Sequence, residues 1–212
     1  MKKEQVKTLY DAKFLRFYDY QHAPGKHYYV ASRRDRDQLP ALMSDSEFKT
    51  HLPDAVSCFV VLNIKGQPKK LLLNREFRYP LGQYMLSVPA GLIDPEDREK
   101  PHVLEQTAAR ELCEETGILV QEGDEIKVIN PCVFSSPGMT DEGNALVYIS
   151  INREKMPSMT QSGAEGQEMF DGFCIIDKKE AQKILVEGRD QKGSYYPLYT
   201  WAALMFFLGV ED

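Results

Sequence analysis

Apolar residues occur in short dense runs from Ala55 onward, and the spacing of these runs predicts a sheet. Two runs separated by the turn-forming tetrapeptide KGQP predict a β-hairpin, AVSCFVVLNI followed by KKLLLNREF. A third strand is predicted for YMLSVPAGLI. Three later runs have the same character and predict further strands: EIKVINPCVFSS, ALVYISINRE and MFDGFCIID.

Helical spacing is clearest between residues 101 and 116. Leu104, Ala108 and Leu112 stand at i, i+4 and i+8, Pro101 suits a first turn, and Gly117 suits the C-terminal end. Two more helices are predicted for KKEAQKILVEG and YTWAALMFFLG. Because strands and helices are intermixed, we predict an α+β domain with a mixed sheet and helices on its faces.

An aromatic-rich pattern precedes this domain. The segments AKFLRFYDY and HYYVASR flank QHAPGK, in which Pro24 and Gly25 form a turn signal, so residues 12–33 are predicted to form an antiparallel hairpin. The charged stretch RRDRDQLPALMSDSEFKTHLPD that follows is predicted to be a connecting loop. We therefore expect an N-terminal hairpin region, residues 1–45, and a main domain, residues 46–212.

Composition excludes several classes of function. The 212-residue chain carries a net charge of −6, which disfavours a general basic surface for nucleic acid. The apolar run WAALMFFLGV is about half as long as a membrane span, and the start MKKEQVKTLYDAKF lacks the apolar segment of a secretory signal. The four cysteines are scattered, as expected for free and mostly buried thiols. We expect a cytoplasmic protein with neither a nucleic acid nor a membrane as partner.

The segment RELCEETG gathers like charges on one helical face. Glu111, Glu114 and Glu115 stand at i, i+3 and i+4, and each like-charged pair at i,i+4 costs about 0.2–0.5 kcal/mol. Neither Thr107 nor Ala108, one turn earlier, supplies a cation. A solvated acidic face is the ordinary interpretation of such a cluster. The alternative is a site for a hard ion such as Mg²⁺ or Mn²⁺, which prefers oxygen ligands.

The segment 91–118 resembles the signature of Nudix hydrolases, G-x5-E-x7-R-E-U-x-E-E-x-G-U, in which U is an aliphatic residue. The second half of the signature is matched at every defined position, from Arg110 to Ile118. The first half is five residues longer than the family pattern, so the glutamate expected there falls on Asp97 when counted from one side and on His102 when counted from the other. We expect one of three nearby acids to replace it: Glu96, Asp97 or Glu99.

The resemblance implies the Nudix fold, an α/β/α sandwich, and hydrolysis of a nucleoside diphosphate linked to another group. It implies that Mg²⁺ or Mn²⁺ is the cofactor. The metal ligands that it implies are the side chains of Glu111, Glu114 and Glu115 and the carbonyl of Ala90. Arg110 is expected to orient the carboxylates.

Flanking segments resemble the ADP-ribose pyrophosphatase branch of that family. The run NREFRYPLGQYMLSVPAGLID matches the branch pattern in register and implies that Arg78 grips a phosphate, although Ser87 stands where the branch has a glutamate. The segment SSPGMTDE resembles the branch loop that carries a mobile acid, which makes Glu142 the candidate general base and Gly138 the flexible position beside the substrate. Glu168, in GQEMFDGF, is the second candidate base.

A thinner match concerns KHYYVASR in the N-terminal hairpin. It implies that Tyr28 stacks on adenine and that Arg33 approaches a phosphate or ribose, whereas packing of Tyr28 within its own hairpin is an equally open interpretation. The expected reaction converts ADP-ribose to AMP and ribose 5-phosphate in a homodimer paired through the N-terminal strands. Two alternatives stay open: a hydrolase of NADH or another nucleotide sugar, and a domain that senses a nucleotide without cleaving it.

Overall fold

The structure is a computed structural model that describes residues 1–163 and 168–211. It contains two compact units. We call residues 1–54 and 132–144 the N-terminal unit, and residues 55–131 and 145–212 the main unit.

The N-terminal unit contains a three-stranded antiparallel sheet in the order β1-β2-β3. The strands are β1 (Val6–Asp11), β2 (Arg16–Ala23) and β3 (Lys26–Ser32). The hairpin predicted from the aromatic segments is confirmed as β2 and β3. Strand β1 was not predicted, because only Val6 of its six residues is buried and the strand therefore lacks an apolar alternation. A small core forms on this sheet from Val6, Tyr18, Tyr20, Val30 and Leu39.

The charged stretch after β3 is not entirely loop, so that prediction is wrong in part. It contains the short helix α1 (Asp45–Thr50). Ser44 caps this helix by accepting a hydrogen bond from the Glu47 amide, while the Glu47 side chain accepts from the Ser44 amide. This reciprocal pair is the S-x-x-E capping box, a signal that was present in the sequence and was passed over.

The main unit is built on a mixed seven-stranded sheet in the order β10-β5-β4-β9-β8, with β6 beside β5 and β7 beside β4. The predicted strands and helices after Ala55 are confirmed, apart from the two details that follow below. Their bounds are β4 (Ala55–Ile64), β5 (Lys70–Arg78), β6 (Gln83–Ser87), β7 (Ala90–Leu92), α2 (Val103–Thr116), β8 (Glu125–Phe134), β9 (Gly143–Arg153), β10 (Phe170–Ile176), α3 (Lys178–Glu187) and α4 (Leu198–Gly209).

Helices cover both faces of this sheet. The Cys58 thiol of β4 donates to the Ala108 carbonyl of α2 at 3.7 Å, whereas the next residue, Phe59, belongs to the core cluster that contains Phe207 of α4. Successive residues of a strand point to opposite faces, so α2 and α4 lie on opposite sides of the sheet. The predicted α/β/α sandwich is therefore confirmed.

The segment YMLSVPAGLI forms two strands rather than the single predicted one. Strand β6 pairs with β5 and ends at Ser87, whereas β7 pairs with β4 and begins at Ala90. Pro89 between them has no N–H for a ladder bond, so the chain leaves one partner strand here and takes another. As a result, Ala90 is the first residue of β7, and its backbone lies beside Ser57 of β4.

Helix α2 starts later than predicted. Pro101 lies outside it, and His102 is the N-terminal cap in a left-handed conformation with φ 54°. The predicted C-terminal end is confirmed, because Gly117 has φ 73° and its N–H donates to Cys113 O. A non-glycine residue with positive φ breaks the helical path, so the longer segment before His102 stays outside the helix.

All four cysteines are free thiols, as expected. Only Cys58 is buried, so the expectation that most are buried is wrong. Cys113, for example, is one position away from the buried stripe of Leu104, Ala108 and Leu112. Within residues 1–163 and 168–211, no helix is long and apolar enough to cross a bilayer.

Candidate functional site

Two glutamates of α2 are buried against the start of β7. Glu115 is 3% exposed, and its Oε1 accepts a hydrogen bond from the Ala90 amide at 3.0 Å. Its Oε2 accepts from the side-chain amide of Asn74 on β5. The Ala90 and Glu115 positions predicted from the sequence are thus brought together, with the Ala90 amide as the group in contact.

Glu111 is packed on a glycine. A Cβ added at Gly91 would overlap Glu111 Oε1, so the carboxylate would have to move to accept any other side chain at this position. Glycine here allows a close approach between backbone and carboxylate.

The guanidinium of Arg110 lies between two glutamates of the acidic face, Glu111 and Glu114. Its Nη1 lies 2.7 Å from Glu114 Oε2 and its Nη2 lies 2.8 Å from Glu111 Oε1. Nη2 also donates to the Leu92 carbonyl at 2.9 Å. These contacts fix the guanidinium between the two glutamates, in the arrangement that an orienting arginine requires.

The acid that reaches Arg110 from the lengthened segment is Asp94, at 3.5 Å from Nη2. Sequence reasoning favoured Glu96, Asp97 or Glu99 for this place. Asp97 instead forms an ion pair with Lys100, because the 3₁₀ turn at Pro95–Asp97 brings these two residues together at i,i+3. Asp94 was overlooked because it was counted as part of the strand-end motif.

The buried carboxylates raise one another's pKa. Burial raises the pKa of Glu111 to about 7; the charge of Arg110 opposes this shift, and Glu114 and Glu168 add to it. Burial also raises the pKa of Glu115 well above its ordinary value, and Glu76, Glu111 and Glu168 raise it further. Five acids therefore influence one another in the main unit, and this excess of negative charge favours a bound cation.

The donor chemistry of this cluster fits a hard divalent ion. Every candidate ligand is an oxygen atom, and no thiolate or imidazole is among the candidates. As the side chains stand, the described residues contain no group of three or more His, Cys, Asp or Glu side chains that converges on an ion position. Glu111 and Glu114 are turned toward Arg110, so an ion would compete with this guanidinium for their oxygens.

Arg78 and Glu168 belong to the same unit as this cluster. Arg78 Nη2 lies 2.6 Å from Glu76 Oε2, and the arginine side chain is 40% exposed. Burial raises the pKa of Glu76, Arg78 lowers it, and Glu168 raises it. Glu168 follows residues 164–167, which lie outside the described part of the chain. Arg78 is thus held by a carboxylate at Nη2 while its side chain stays partly exposed.

The other predicted site residues lie in the N-terminal unit, where they contact each other in pairs. The Tyr28 hydroxyl donates to the Gly138 carbonyl at 2.7 Å, and Arg33 Nε lies 2.7 Å from Glu142 Oε2. Tyr28 remains 46% exposed, so its ring keeps a free surface. The loop 135–142 is therefore tied to strand β3 through residues that the sequence had singled out separately.

Sequence reasoning missed Asn74 and Arg34. Asn74 is a fully buried amide within the apolar strand β5, and a polar residue inside KLLLNREF was the signal available for it. Arg34 is a largely buried arginine that contacts Asp54 and Asp141. It was read as part of a charged loop, and nothing in the local sequence distinguishes it from the exposed Arg36.

Comparison with known proteins gives one matching family model, described as NUDIX domain, over residues 51–195. Among curated proteins, the mouse ADP-sugar pyrophosphatase is 38% identical over 127 residues, 60% of this chain and 54% of the relative. The ADP-ribose pyrophosphatase of Saccharomyces cerevisiae is 31% identical over 126 residues, 58% of this chain and 50% of the relative. An uncharacterized Nudix hydrolase of Schizosaccharomyces pombe is 31% identical over 123 residues, 58% of this chain and 55% of the relative. The chain spans about half the length of the curated relatives it matches.

Proposed function

The chain belongs to the NUDIX domain family, and we propose that it hydrolyses the pyrophosphate bond of a nucleoside diphosphate derivative. The substrate that we propose is ADP-ribose, with AMP and ribose 5-phosphate as products. The observation that carries the proposal is the acidic face of α2, where Glu111 and Glu115 are buried and the acids that act on them outnumber the cations. The names of the mouse and yeast relatives, ADP-sugar pyrophosphatase and ADP-ribose pyrophosphatase, support an ADP-linked substrate.

Mg²⁺ or Mn²⁺ is the proposed cofactor. Glu111, Glu114 and Glu115 would hold it, together with the Ala90 carbonyl. When bound, a divalent cation neutralises charge on the phosphates and lowers the pKa of a coordinated water. The oxygen-only donor set and the raised pKa of Glu111 and Glu115 support this choice, because a nearby cation would stabilise both carboxylates in the charged form.

Two arginines of the main unit have distinct proposed roles. Arg110 holds Glu111 and Glu114 in position through the two arms of its guanidinium. Arg78 binds a substrate phosphate, since a guanidinium offers a planar bidentate fork and this one is partly exposed. Its ion pair with Glu76 fixes one edge of the fork in advance of binding.

Glu142 is the proposed general base, and Glu168 is the alternative. Glu142 is partly exposed, at 32% of its side chain, and lies on a loop beside Arg33. Glu168 is favoured by a different observation, since its charge acts on Glu111 and Glu115 within the main unit. Tyr28 and Arg33 are proposed to contact the adenine and a phosphate or ribose of the substrate, beside Gly138.

A substrate panel tests the reaction. The purified protein would be incubated with ADP-ribose, NADH and several nucleotide sugars, with Mg²⁺, with Mn²⁺ and with EDTA. We expect metal-dependent release of AMP, fastest from ADP-ribose. Faster cleavage of NADH or a nucleotide sugar would change the assigned substrate but not the proposed reaction, hydrolysis of a pyrophosphate bond. Binding of ADP-ribose without cleavage of any compound would favour the alternative of a nucleotide-sensing domain.

The choice of base is tested by comparing Glu142→Gln with Glu168→Gln. A general base contributes on the order of 10²–10⁴ in rate, and replacement by the isosteric amide removes that contribution. We expect kcat to fall in Glu142→Gln and to change little in Glu168→Gln. The opposite pattern would assign the role to Glu168.

The assembly is proposed to be a homodimer that pairs through residues 1–45, and the location is proposed to be the cytoplasm. Eight large apolar side chains of this region are exposed by 41–69%: Met1, Leu9, Tyr10, Phe14, Leu15, Phe17, Tyr28 and Tyr29. Exposed apolar surface, where it forms a large patch, marks interaction sites. Sedimentation as a monomer at micromolar concentration would contradict the dimer. The four free thiols support a reducing compartment.

A further inference from the structure

Strand β3 and the residues after it contact the loop 135–142 in matching sequence order. The Ala31 amide donates to the Met139 carbonyl at 3.0 Å, and Ala31 forms a parallel bridge with Thr140. The Ser32 hydroxyl donates to Asp141 Oδ2 at 2.9 Å. With the contacts of Tyr28 and Arg33 described above, each loop residue from 138 to 142 has a contact with the segment 28–33. These contacts all lie within the N-terminal unit.

Arg34 provides the buried part of this attachment. Its side chain is 11% exposed, and its Nη1 donates to the Asp141 carbonyl at 3.3 Å and lies 3.5 Å from Asp141 Oδ2. Its Nη2 lies 2.7 Å from Asp54 Oδ1. Both carboxylates are also largely buried, at 6% and 12% of the side chain. One guanidinium is thus shared by two acids in a poorly solvated place.

Asp54 extends the attachment to the other side of Glu142. Its Oδ2 accepts from the Gly143 amide at 2.8 Å, and its own amide donates to the Gly143 carbonyl at 2.9 Å. Arg34 therefore holds Asp141 directly and Gly143 through Asp54. These are the two chain neighbours of Glu142, so the backbone of Glu142 is fixed on both sides.

Arg33 contacts the Glu142 side chain but is less suited to fixing its position. The two side chains are 45% and 32% exposed, and an exposed ion pair contributes only about 0–1 kcal/mol. A buried charge pair behaves differently, because removing one partner leaves the other desolvated and unpaired. Arg33 therefore contacts the Glu142 carboxylate, whereas Arg34 holds the backbone on either side of Glu142.

We propose that Arg34 is a positioning residue that fixes the loop 135–142 and, through Asp141 and Asp54, sets the place of Glu142. The catalytic consequence rests on the proposed function, in which Glu142 is the general base. Arg34 itself contacts no reacting group in this proposal. Its effect on turnover is exerted through the backbone on either side of Glu142.

The test compares Arg34→Gln and Arg34→Lys with Arg36→Gln as the matched control. Arg36 is 49% exposed, and its Nε lies 3.7 Å from Asp37. We expect kcat for ADP-ribose to fall by up to about 10²-fold in Arg34→Gln, as for other small displacements of a catalytic group, with KM little changed. Arg34→Lys should recover part of the loss, because it keeps the charge without the fork. Arg36→Gln should behave as the wild type.

The same substitution is then placed in the Glu142→Gln background. If Arg34 acts through Glu142, Arg34→Gln lowers kcat no further there. An equal loss in both backgrounds would overturn the proposal, since it would indicate a general defect. If Arg34→Gln does not fold, Ser32→Ala provides the second variant, since it removes the hydroxyl that donates to Asp141 and accepts from the Arg34 amide without removing a charge. A smaller loss of the same kind is then expected, and none would count against the proposal.

Amide hydrogen exchange gives a measurement that does not depend on activity. Exchange at residues 138–143 should accelerate in Arg34→Gln while exchange in the β4–β5 hairpin stays unchanged. Unchanged loop exchange would overturn the proposal even if activity falls. A third outcome is accelerated loop exchange in Arg34→Gln together with full activity of Glu142→Gln. Arg34 would then still anchor the loop. The assignment of Glu142 as base would be overturned, and with it the catalytic consequence drawn for Arg34.

Discussion

Buried carboxylates are partnered differently in the two units. In the main unit, Glu111 and Glu115 lie among further acids, and Arg110 contacts Glu111 and Glu114. In the N-terminal unit, Asp54 and Asp141 share Arg34, and the Gly143 amide and the Ser32 hydroxyl donate to them. A cluster of five interacting acids is suited to recruiting a cation, whereas two acids that share one guanidinium are suited to holding the backbone.

The largest expected effect is on turnover, in the acidic cluster of the main unit. Glu114→Gln removes one proposed ligand from a side chain that is 30% exposed, so the fold should survive. We expect metal-dependent hydrolysis of ADP-ribose to fall on the order of 10³-fold, because a metal supplies several kcal/mol of transition-state stabilisation. Steady-state kinetics with Glu105→Gln as control, on the same helix, measures this effect. Near-normal turnover would remove the ligand assignment.

In the Arg34 cluster of the N-terminal unit the corresponding change should affect stability. Asp54→Asn removes the carboxylate that Arg34 Nη2 contacts while Asp141 remains, at a cost of about 3 kcal/mol, the upper end for a hydrogen bond to a charged group. Chemical denaturation measures the loss. Asp37→Asn is the control, because Asp37 is an exposed acid of the same unit and should change the free energy of unfolding by less than about 0.5 kcal/mol. Equal losses of unfolding free energy in the two variants would contradict the expected difference between buried and exposed acids in this unit.

The acidic cluster of the main unit should make the stability of the protein depend on pH. The pKa of Glu111 is about 7 in the folded protein against 4.5 without its surroundings, so between these values the folded state keeps a proton that the unfolded state has lost. The free energy of unfolding should therefore fall as pH rises from about 4.5 to 7, by about 3 kcal/mol from this group, and level off above 7.

Calorimetry at pH 5 and pH 8 in EDTA, on wild type and Glu111→Gln, isolates this contribution. The difference in Tm between wild type and variant should shrink or reverse at pH 8. Added Mg²⁺ should raise the Tm of the wild type at pH 8 and have little effect at pH 5, where Glu111 is protonated. A difference that does not depend on pH would show that Glu111 titrates near its ordinary pKa.

The smallest expected effect concerns packing beside the acidic face. Gly91→Ala places a methyl group where Glu111 Oε1 now lies, so the carboxylate must move, at a cost of about 1–2 kcal/mol. Thermal unfolding measures it, with Gly209→Ala as control, since a Cβ at Gly209 meets nothing within 4 Å. A neutral result at Gly91 would mean that the Glu111 carboxylate repacks without strain.

The periodic parts of the fold were predictable from the sequence, because a covered strand or an amphipathic helix imposes its spacing on the apolar residues. Elements with little burial were not, as the single buried residue of β1 illustrates. The acidic helix was found because its like charges carry a cost that needs compensation. Asp94 and Arg34 were missed, since their partners, Arg110 and the Asp54–Asp141 pair, are distant in sequence and only the tertiary fold brings them together.

The left-handed residue His102 has a consequence for protein engineering. Because the chain breaks its helical path at His102, the rotational phase of α2 does not depend on how many residues precede this point. Lengthening a flexible connection costs only about 0.6 kcal/mol per doubling. The turn at 98–101, which already lies in a segment five residues longer than the family pattern, is therefore a place where a reporter peptide or labelling tag can be inserted with little disturbance to the glutamates downstream.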